Sequence, residues 1–348
     1  MKTLLINKII RIILLFYKSS YPKFKTGILK LDEIGDYVLF RKYIKNIYDS
    51  HGNSIYLIGN KSWESLFIGL DKKYIANFYF IDKKKFNSSF LYKLRTMISL
   101  KKLSFDKIIH PTQSRDLFIS DYILSELNSK SKIGFKSDYL NSSKKQLLVS
   151  DRYYTRLIDC LKIPFEIDKI ENFINVVFQI NQDLCTDENT LERNQDCVIF
   201  LGASSPERRW GGYSDLIFKI NLYFDNIYLC GGNDVKINFD SNLNSDVISL
   251  IGKSDLPDFM SLIKKSRLLI TNESFAHHLA VQTRTNCIVI SNGNNYLRFH
   301  PYPKKHLNSI YKIMYPKSFD KYNYNENLPL IDEITTEEVL LTILNNKL

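Results

Sequence analysis

The feature that most constrains this 348-residue chain is a rhythm of short apolar runs separated by longer amphipathic stretches, and it plays through twice. Short runs rich in Val, Ile, Leu and Phe fit strands buried on both faces, and amphipathic stretches fit helices covering a parallel sheet. From Thr26 onward, residues 27–31, 54–59, 77–81, 107–110 and 132–135 read as strands with helices between them. Residues 153–161 read as a further helix stopped by Pro164, and 165–193 as a polar, irregular linker. The rhythm then restarts: 197–201, 226–230, 247–251, 267–271 and 286–291 read as strands, with helices beginning near Tyr213, Leu256 and Ser274. Thr335 with Glu338 three residues on makes a capping box for a closing helix over 335–345. The expected class is α/β, with two open sheets in tandem. Its parts are a basic amphipathic segment 1–25, a first domain 26–170, a linker 171–195, a second domain 196–330 and a C-terminal helix 331–348.

The first 25 residues are apolar but interrupted by Lys2, Lys8, Arg11 and Lys18. That is too broken for a bilayer span, which needs about 20 predominantly apolar residues. The uninterrupted run 12–17 is short for a signal-peptide core, and no small-x-small cleavage site follows. On a helical wheel Lys8, Arg11 and Lys18 gather near one side while Leu4, Leu5, Ile9, Ile12, Ile13 and Phe16 cover the rest. Two readings fit: a helix lying on an anionic membrane surface, or one packed on the protein's own core. The net charge of +11 favours anionic partners, whether phosphates, lipid headgroups or nucleic acid. Five cysteines, Cys160, Cys185, Cys197, Cys230 and Cys287, are spaced too far apart for a zinc knuckle or redox dithiol and fit buried thiols in a reducing cytoplasm.

Four loops that follow strand ends, where α/β sheets hold ligands, carry the polar residues of interest. In the first, a strand runs through Asp32, Glu33 and Gly35 to Asp36 at a helix start, where a carboxylate serves as cap or as base. The second, residues 200–216, offers Gly202, Ala203, Ser204 and Ser205 for close backbone approach and Arg208 and Arg209 as fixed positive charge, which suits a diphosphate. It is not a Walker loop. In the third, residues 268–282, a buried strand delivers Thr271 to Ser274 to a helix N-terminus beside Glu273, Phe275, His277 and His278. Adjacent helical positions point about 100° apart, so the two histidines do not form an obvious metal pair. The fourth, residues 291–303, places Tyr296, Arg298 and His300 where a base or sugar would stack, or forms an ordinary turn. No Asp-x-Asp occurs in the chain.

In order and spacing these segments resemble the heptosyltransferase family, glycosyltransferase family nine, from about residue 26 to 305. Ile34-Gly35-Asp36-Tyr37-Val38 is similar to the family's Leu/Met-Gly-Asp-x-Val/Ile turn. Gly202-Ala203 through Arg208, Arg209 and Trp210 resembles its Gly-Ala…Lys/Arg-x-Trp segment, followed by Gly231-Gly232 and Gly252-Lys253-Ser254-Asp255-Leu256. The run Asn272-Glu273-Ser274-Phe275-Ala276-His277-His278-Leu279-Ala280 is similar to the family's Asp-Ser/Thr-Gly-x-x-His-Leu-Ala stretch. Glu273 stands for Asp and Phe275 for Gly, and Arg41 and Lys42 stand where the family often has proline.

The resemblance implies a GT-B fold of two Rossmann-like domains and an inverting sugar transfer that needs no metal or other cofactor, at the cytoplasmic face of a bacterial inner membrane. Asp36 would be the general base. Gly202, Ser204, Ser205, Arg208, Arg209, Glu273, Ser274, Phe275 and His278 would bind the nucleoside-diphosphate sugar, and the acceptor would be a lipid-linked or lipopolysaccharide glycan. The two departures at Glu273 and Phe275 leave open a silent nucleotide-binding scaffold. A basic nucleic-acid-binding protein lacks the expected interleaving of aromatic and basic residues on a strand platform.

Overall fold

The computed structural model describes residues 2–18, 23–52, 54–180, 192–238, 246–323 and 328–348. The chain divides into two compact units, Met1–Leu184 and Cys185–Leu348. In the first, chain order is α1 (Lys2–Leu14), β1 (Lys23–Lys30), α2 (Ile34–Arg41), α3 (Ile44–His51), β2 (Ile55–Asn60), α4 (Glu64–Leu70), β3 (Asn77–Ile81), α5 (Lys83–Ser88), α6 (Phe90–Lys101), β4 (Ser104–His110), α7 (Ser120–Glu126), β5 (Asn128–Phe135), α8 (Lys144–Ser150), β6 (Arg156–Ile158) and α9 (Glu166–Phe178). The second continues with β7 (Cys197–Phe200), α10 (Tyr213–Ile220), β8 (Asn226–Cys230), β9 (Asp246–Ser249), α11 (Leu256–Lys265), β10 (Leu268–Asn272), α12 (Phe275–Thr283), β11 (Asn286–Ile290), β12 (Tyr311–Met314) and α13 (Thr336–Asn345).

Both units carry a six-stranded sheet among the described residues, and the pairings are parallel. The first has order β3-β2-β1-β4-β5-β6 and the second β9-β8-β7-β10-β11-β12. This is one topology used twice, the doubly wound order in which strand order reverses beside the first strand. The crevice at the carboxyl ends of such a switch is where this fold holds ligands. It lies between β1 and β4 in the first unit and between β7 and β10 in the second. Cores form where sheet and helices meet: Leu29, Ile58, Phe105 and Ile108 pack with Met97, Leu100 and Ile123 in the first, and Ile199, Leu229 and Ile270 with Leu216, Ile217 and Val339 in the second. Cys160, Cys197, Cys230 and Cys287 are buried free thiols; Cys185 lies outside the described residues.

Three elements differ from the sequence reading. Residues 156–158 form edge strand β6 where a helix over 153–161 was expected, because Arg156 to Ile158 pair with Ile133 to Phe135. Residues 166–178, assigned largely to a linker, form α9, which buries Ile167, Ile170, Phe173, Ile174 and Phe178 at helical spacing. β12 extends the second sheet beyond the five strands expected, pairing Tyr311–Met314 with β11. The remaining linker residues 181–191 lie outside the described residues. Thr335 and Glu338 form the expected capping box on α13.

Candidate active site

In the first unit, β1 ends in a turn whose acids have separate fates. Lys30 Nζ lies 2.5 Å from Asp32 Oδ2 and donates to the Pro111 carbonyl, while Thr112 Oγ1 donates to the same Asp32 oxygen at 2.7 Å. Burial alone would raise Asp32, but Lys30 and the Thr112 hydrogen bond outweigh it and hold the carboxyl below its ordinary value. Asp32 therefore stays ionised and engaged. Glu33, the N-cap of α2 with no side-chain cap bond, is exposed and pairs with Lys83 at 2.7 Å. Asp36 is not the cap but the third residue of α2, half-buried in its first turn.

The rest of α2 fixes that position. Tyr37, Val38, Leu39 and Phe40 are buried, and the Tyr37 ring stacks on Trp63 at 3.9 Å. Tyr37 Oη and two nitrogens of Arg41 donate to the carboxylate of Asp71 at 2.7–2.8 Å. Arg41, noted only as replacing a proline, is thus the far anchor of the helix that carries Asp36.

Beside it, the loop after β4 forms a buried polar cluster that sequence reasoning missed. His110 Nδ1 lies 2.6 Å from Tyr154 Oη, Tyr154 donates to Asp121 at 2.5 Å, and Arg115 packs over the Tyr154 ring while bonding Asp151. The strand leading to His110 was recognised, and the run His110-Pro-Thr-Gln-Ser-Arg after it was the available signal.

In the second unit the switch point brings the second and third loops together. Asn272, at the end of β10, donates to the carbonyls of Leu201 and Gly202 and accepts from Trp210 N–H, and Trp210 Nε1 donates to Ile334. This bolts the 201–210 loop to its neighbour. Gly202 is buried against Phe200, whose ring would stand 2.8 Å from any Cβ there. Ser204 accepts from Arg208, Ser205 caps the short 3-10 turn of Pro206–Arg208 without a side-chain bond, and Arg209 pairs with Asp234. Arg208 Nη2 contacts the Glu273 carboxylate at 2.7 Å and donates to the Glu273 carbonyl at 3.2 Å.

Glu273 is buried, with both oxygens committed. Oε1 accepts from Arg208 and from Asn295 at 3.0 Å; Oε2 accepts from Ser291 at 3.4 Å and lies 3.2 Å from His300 Nε2. Burial would raise this carboxyl, but His300 and Arg208 hold it below its ordinary value. Glu273, expected from sequence to contact the donor, thus turns its carboxylate to Arg208, Asn295, Ser291 and His300.

Ser274 caps α12 in a box with His277: its hydroxyl accepts from Ala276 N–H, and its own N–H donates to His277 Nδ1. Phe275 packs its ring 5.1 Å from Phe200 and 5.9 Å from Phe259. His278 is buried and bonded to Tyr302 Oη at 2.6 Å. Burial, with His300 nearby, pushes it down to about 3, so it is neutral at physiological pH. In the fourth loop Tyr296 packs among Tyr315 and Phe319, and His300 bridges Glu273 and Tyr315.

One feature of the 201–210 loop points to a ligand. The Nε groups of both Arg208 and Arg209 are buried without a hydrogen-bond partner among the described residues. Leaving a buried donor unmet costs about 1–3 kcal/mol, and Arg208, whose guanidinium reaches the Glu273 carbonyl just before α12, marks a place for acceptor oxygens beside a helix N-terminus.

Known proteins share this fold. A family model described as glycosyltransferase family 9 (heptosyltransferase) matches residues 94–328, about two-thirds of the chain. Among solved structures, a family 9 glycosyl transferase from Veillonella parvula DSM 2008 superposes with TM-score 0.67 at 14% identity, covering 94% of this chain and 98% of that one. The E. coli heptosyltransferase WaaC with ADP-2-deoxy-2-fluoro heptose gives 0.69 at 10% identity, covering 92% and 99%. E. coli ADP-heptose lps heptosyltransferase II gives 0.65 at 12%, covering 93% and 99%. No curated protein matches significantly by sequence.

Proposed function

Because the chain belongs to glycosyltransferase family 9, the heptosyltransferase family, and has its GT-B fold, we propose that it transfers a heptose or a hexose from a nucleoside-diphosphate sugar to a hydroxyl of a lipopolysaccharide or related envelope glycan. The transfer inverts the anomeric centre and runs without a metal. The observation that carries this reading is the pair of unmet arginine Nε donors at the β7–β10 switch point. An ADP-sugar is the donor named for two of the structural neighbours and is the first candidate here.

In the displacement, the acceptor oxygen attacks the anomeric carbon while the bond from that carbon to the diphosphate oxygen breaks, its electron pair leaving with the nucleoside diphosphate. Asp36 takes the acceptor proton; a carboxylate in the first turn of a helix suits that task. The leaving charge is met by Arg208 and Arg209, with Ser204, Ser205, the backbone at Gly202 and the N-terminal end of α12 that Ser274 caps completing the cradle. Glu273 acts by positioning Arg208, and His278 by holding α12 in place through Tyr302. Phe275 forms an aromatic wall beside the cradle.

The direct test is thermal stabilisation by a panel of nucleoside diphosphates and nucleotide sugars, since a ligand that binds the native state raises Tm by mass action. A selective rise that vanishes in the Arg208→Ala, Arg209→Ala double variant supports the donor site; no rise with any nucleotide refutes it. A second reading, a silent donor-binding scaffold, is favoured by Phe275 at the start of α12 and by the commitment of Ser274 N–H to His277. Binding without transfer to any glycan acceptor would select it.

A further inference from the structure

α1 packs on the protein's own core, the second of the two expected readings, through one side alone. Its inner face packs on the first unit's core: Ile10 and Leu14 are buried, buried Asn7 donates from Nδ2 to the Phe118 carbonyl, and Arg11 pairs with Glu126 at 2.6 Å. A helix docked this way normally turns a polar face to water. Here the outer face is apolar as well. Leu5 and Ile12 are each 61% exposed, Leu15 76% and Phe16 84%, with Leu4 and Ile9 also exposed beside them. At about 100° per residue Leu4, Leu5, Ile9 and Ile12 share the side of α1 opposite Ile10 and Leu14, with exposed Lys8 among them, and exposed Leu15 and Phe16 follow in the turn after the helix.

We infer that this outer face of α1 is a docking surface for an anionic lipid bilayer, on which the helix lies flat. Length excludes spanning: 13 residues at about 1.5 Å each cover about 20 Å, against a hydrocarbon core of about 30 Å. No helix among the described residues is long and apolar enough to cross a membrane. Charge selects the occupant. Exposed Lys8 sits within this face and exposed Lys18 follows it, and no acidic residue stands in the sequence before Asp32. Anionic headgroups complement that charge. A second copy of the chain would not, because an isologous contact through this face would bring two basic surfaces together.

The inference needs neither the donor nor the acceptor to be right, since it concerns lipid alone. The test is co-sedimentation of the full chain with vesicles of phosphatidylcholine, and of phosphatidylcholine mixed with phosphatidylglycerol, alongside light scattering without lipid. The wild type is expected to bind the mixed vesicles, less so at high salt. A Leu5→Ser, Ile12→Ser, Phe16→Ser variant should keep its Tm and lose binding by about tenfold or more. Should that variant fold poorly, Lys8→Glu supplies the same test with one exposed charge and is expected to weaken binding to the mixed vesicles. Failure of the wild type to bind, or binding untouched by either variant, overturns the inference. A wild-type dimer that the triple variant dissolves assigns the face to a second copy and overturns it equally.

Discussion

Glu273 and Arg208 form a buried ion pair in the second unit, and their burial makes the pair vulnerable to loss of either member. Removing one partner of a buried ion pair leaves the other charge uncompensated, at a cost of about 3–5 kcal/mol. Glu273→Gln keeps the shape but strips the charge that Arg208, Asn295, Ser291 and His300 converge upon. It is expected to lower Tm and to weaken nucleotide binding by freeing Arg208. If Glu273 acts only through Arg208, the Glu273→Gln, Arg208→Ala double variant should bind nucleotide no worse than Arg208→Ala alone, a non-additivity that titration calorimetry would read. Additive losses would instead make Glu273 a direct contact. His278 gives a pH prediction from the same burial. Its folded value of about 3 lies far below the ordinary imidazole value near 6.5, so between those limits the unfolded chain binds a proton that the folded chain refuses. Stability therefore falls as pH drops through 6.5, by up to about 1.4 kcal/mol per pH unit from this group, and the loss levels off below about 3. His278→Gln should start with a lower Tm at neutral pH, having altered the Tyr302 contact, yet show a shallower acid limb in a Tm–pH series.

At the scale of elements, packing decides which loops can carry chemistry. Gly134, opposite His110 in the β4–β5 register, leaves room for the Tyr154 ring, which would stand 2.3 Å from an added Cβ. Gly134→Ala must push away the ring that ties His110 to Asp121, and a destabilisation of about 1–3 kcal/mol by denaturant titration is expected. Most strands were legible because buried parallel strands are short apolar runs; β3 and β8 have the bounds their sequence indicates. β6 was not, since a three-residue edge strand has no periodicity to read. α9 was legible but passed over: Ile167, Ile170, Phe173, Ile174 and Phe178 show the helical spacing, masked by the charged and amide residues between them. The candidate site divides in the same way. Asp36, Arg208 and Ser274 announce themselves at strand ends, whereas the Arg208–Glu273 contact joins residues 65 positions apart and exists only because β7 pairs with β10.

For the whole molecule, the repeated strand order gives two switch points, and the residues proposed for binding and for chemistry fall on different ones. Asp36 follows β1 in the first unit, while the arginine cradle follows β7 in the second. Binding and catalysis should therefore come apart under mutation. Asp36→Asn, isosteric and half-buried in the wild type, is expected to leave Tm and the nucleotide-induced rise in Tm unchanged while lowering the transfer rate by about 10²–10⁴, the usual worth of a positioned general base. Hydrogen exchange read by mass spectrometry supplies the matching spatial test. A nucleoside diphosphate should slow exchange most in residues 201–212 and 271–278, and the same pattern should persist in Asp36→Asn. Protection strongest around the β1–β4 switch point would move the nucleotide to the first unit and reverse the assignment of the two halves. An Asp36→Asn enzyme with full transfer would leave the cradle intact as a donor site but require the acceptor proton to go elsewhere, and the ionised, Lys30-bound Asp32 is poorly suited to receive it because its folded-state surroundings already favour the charged form.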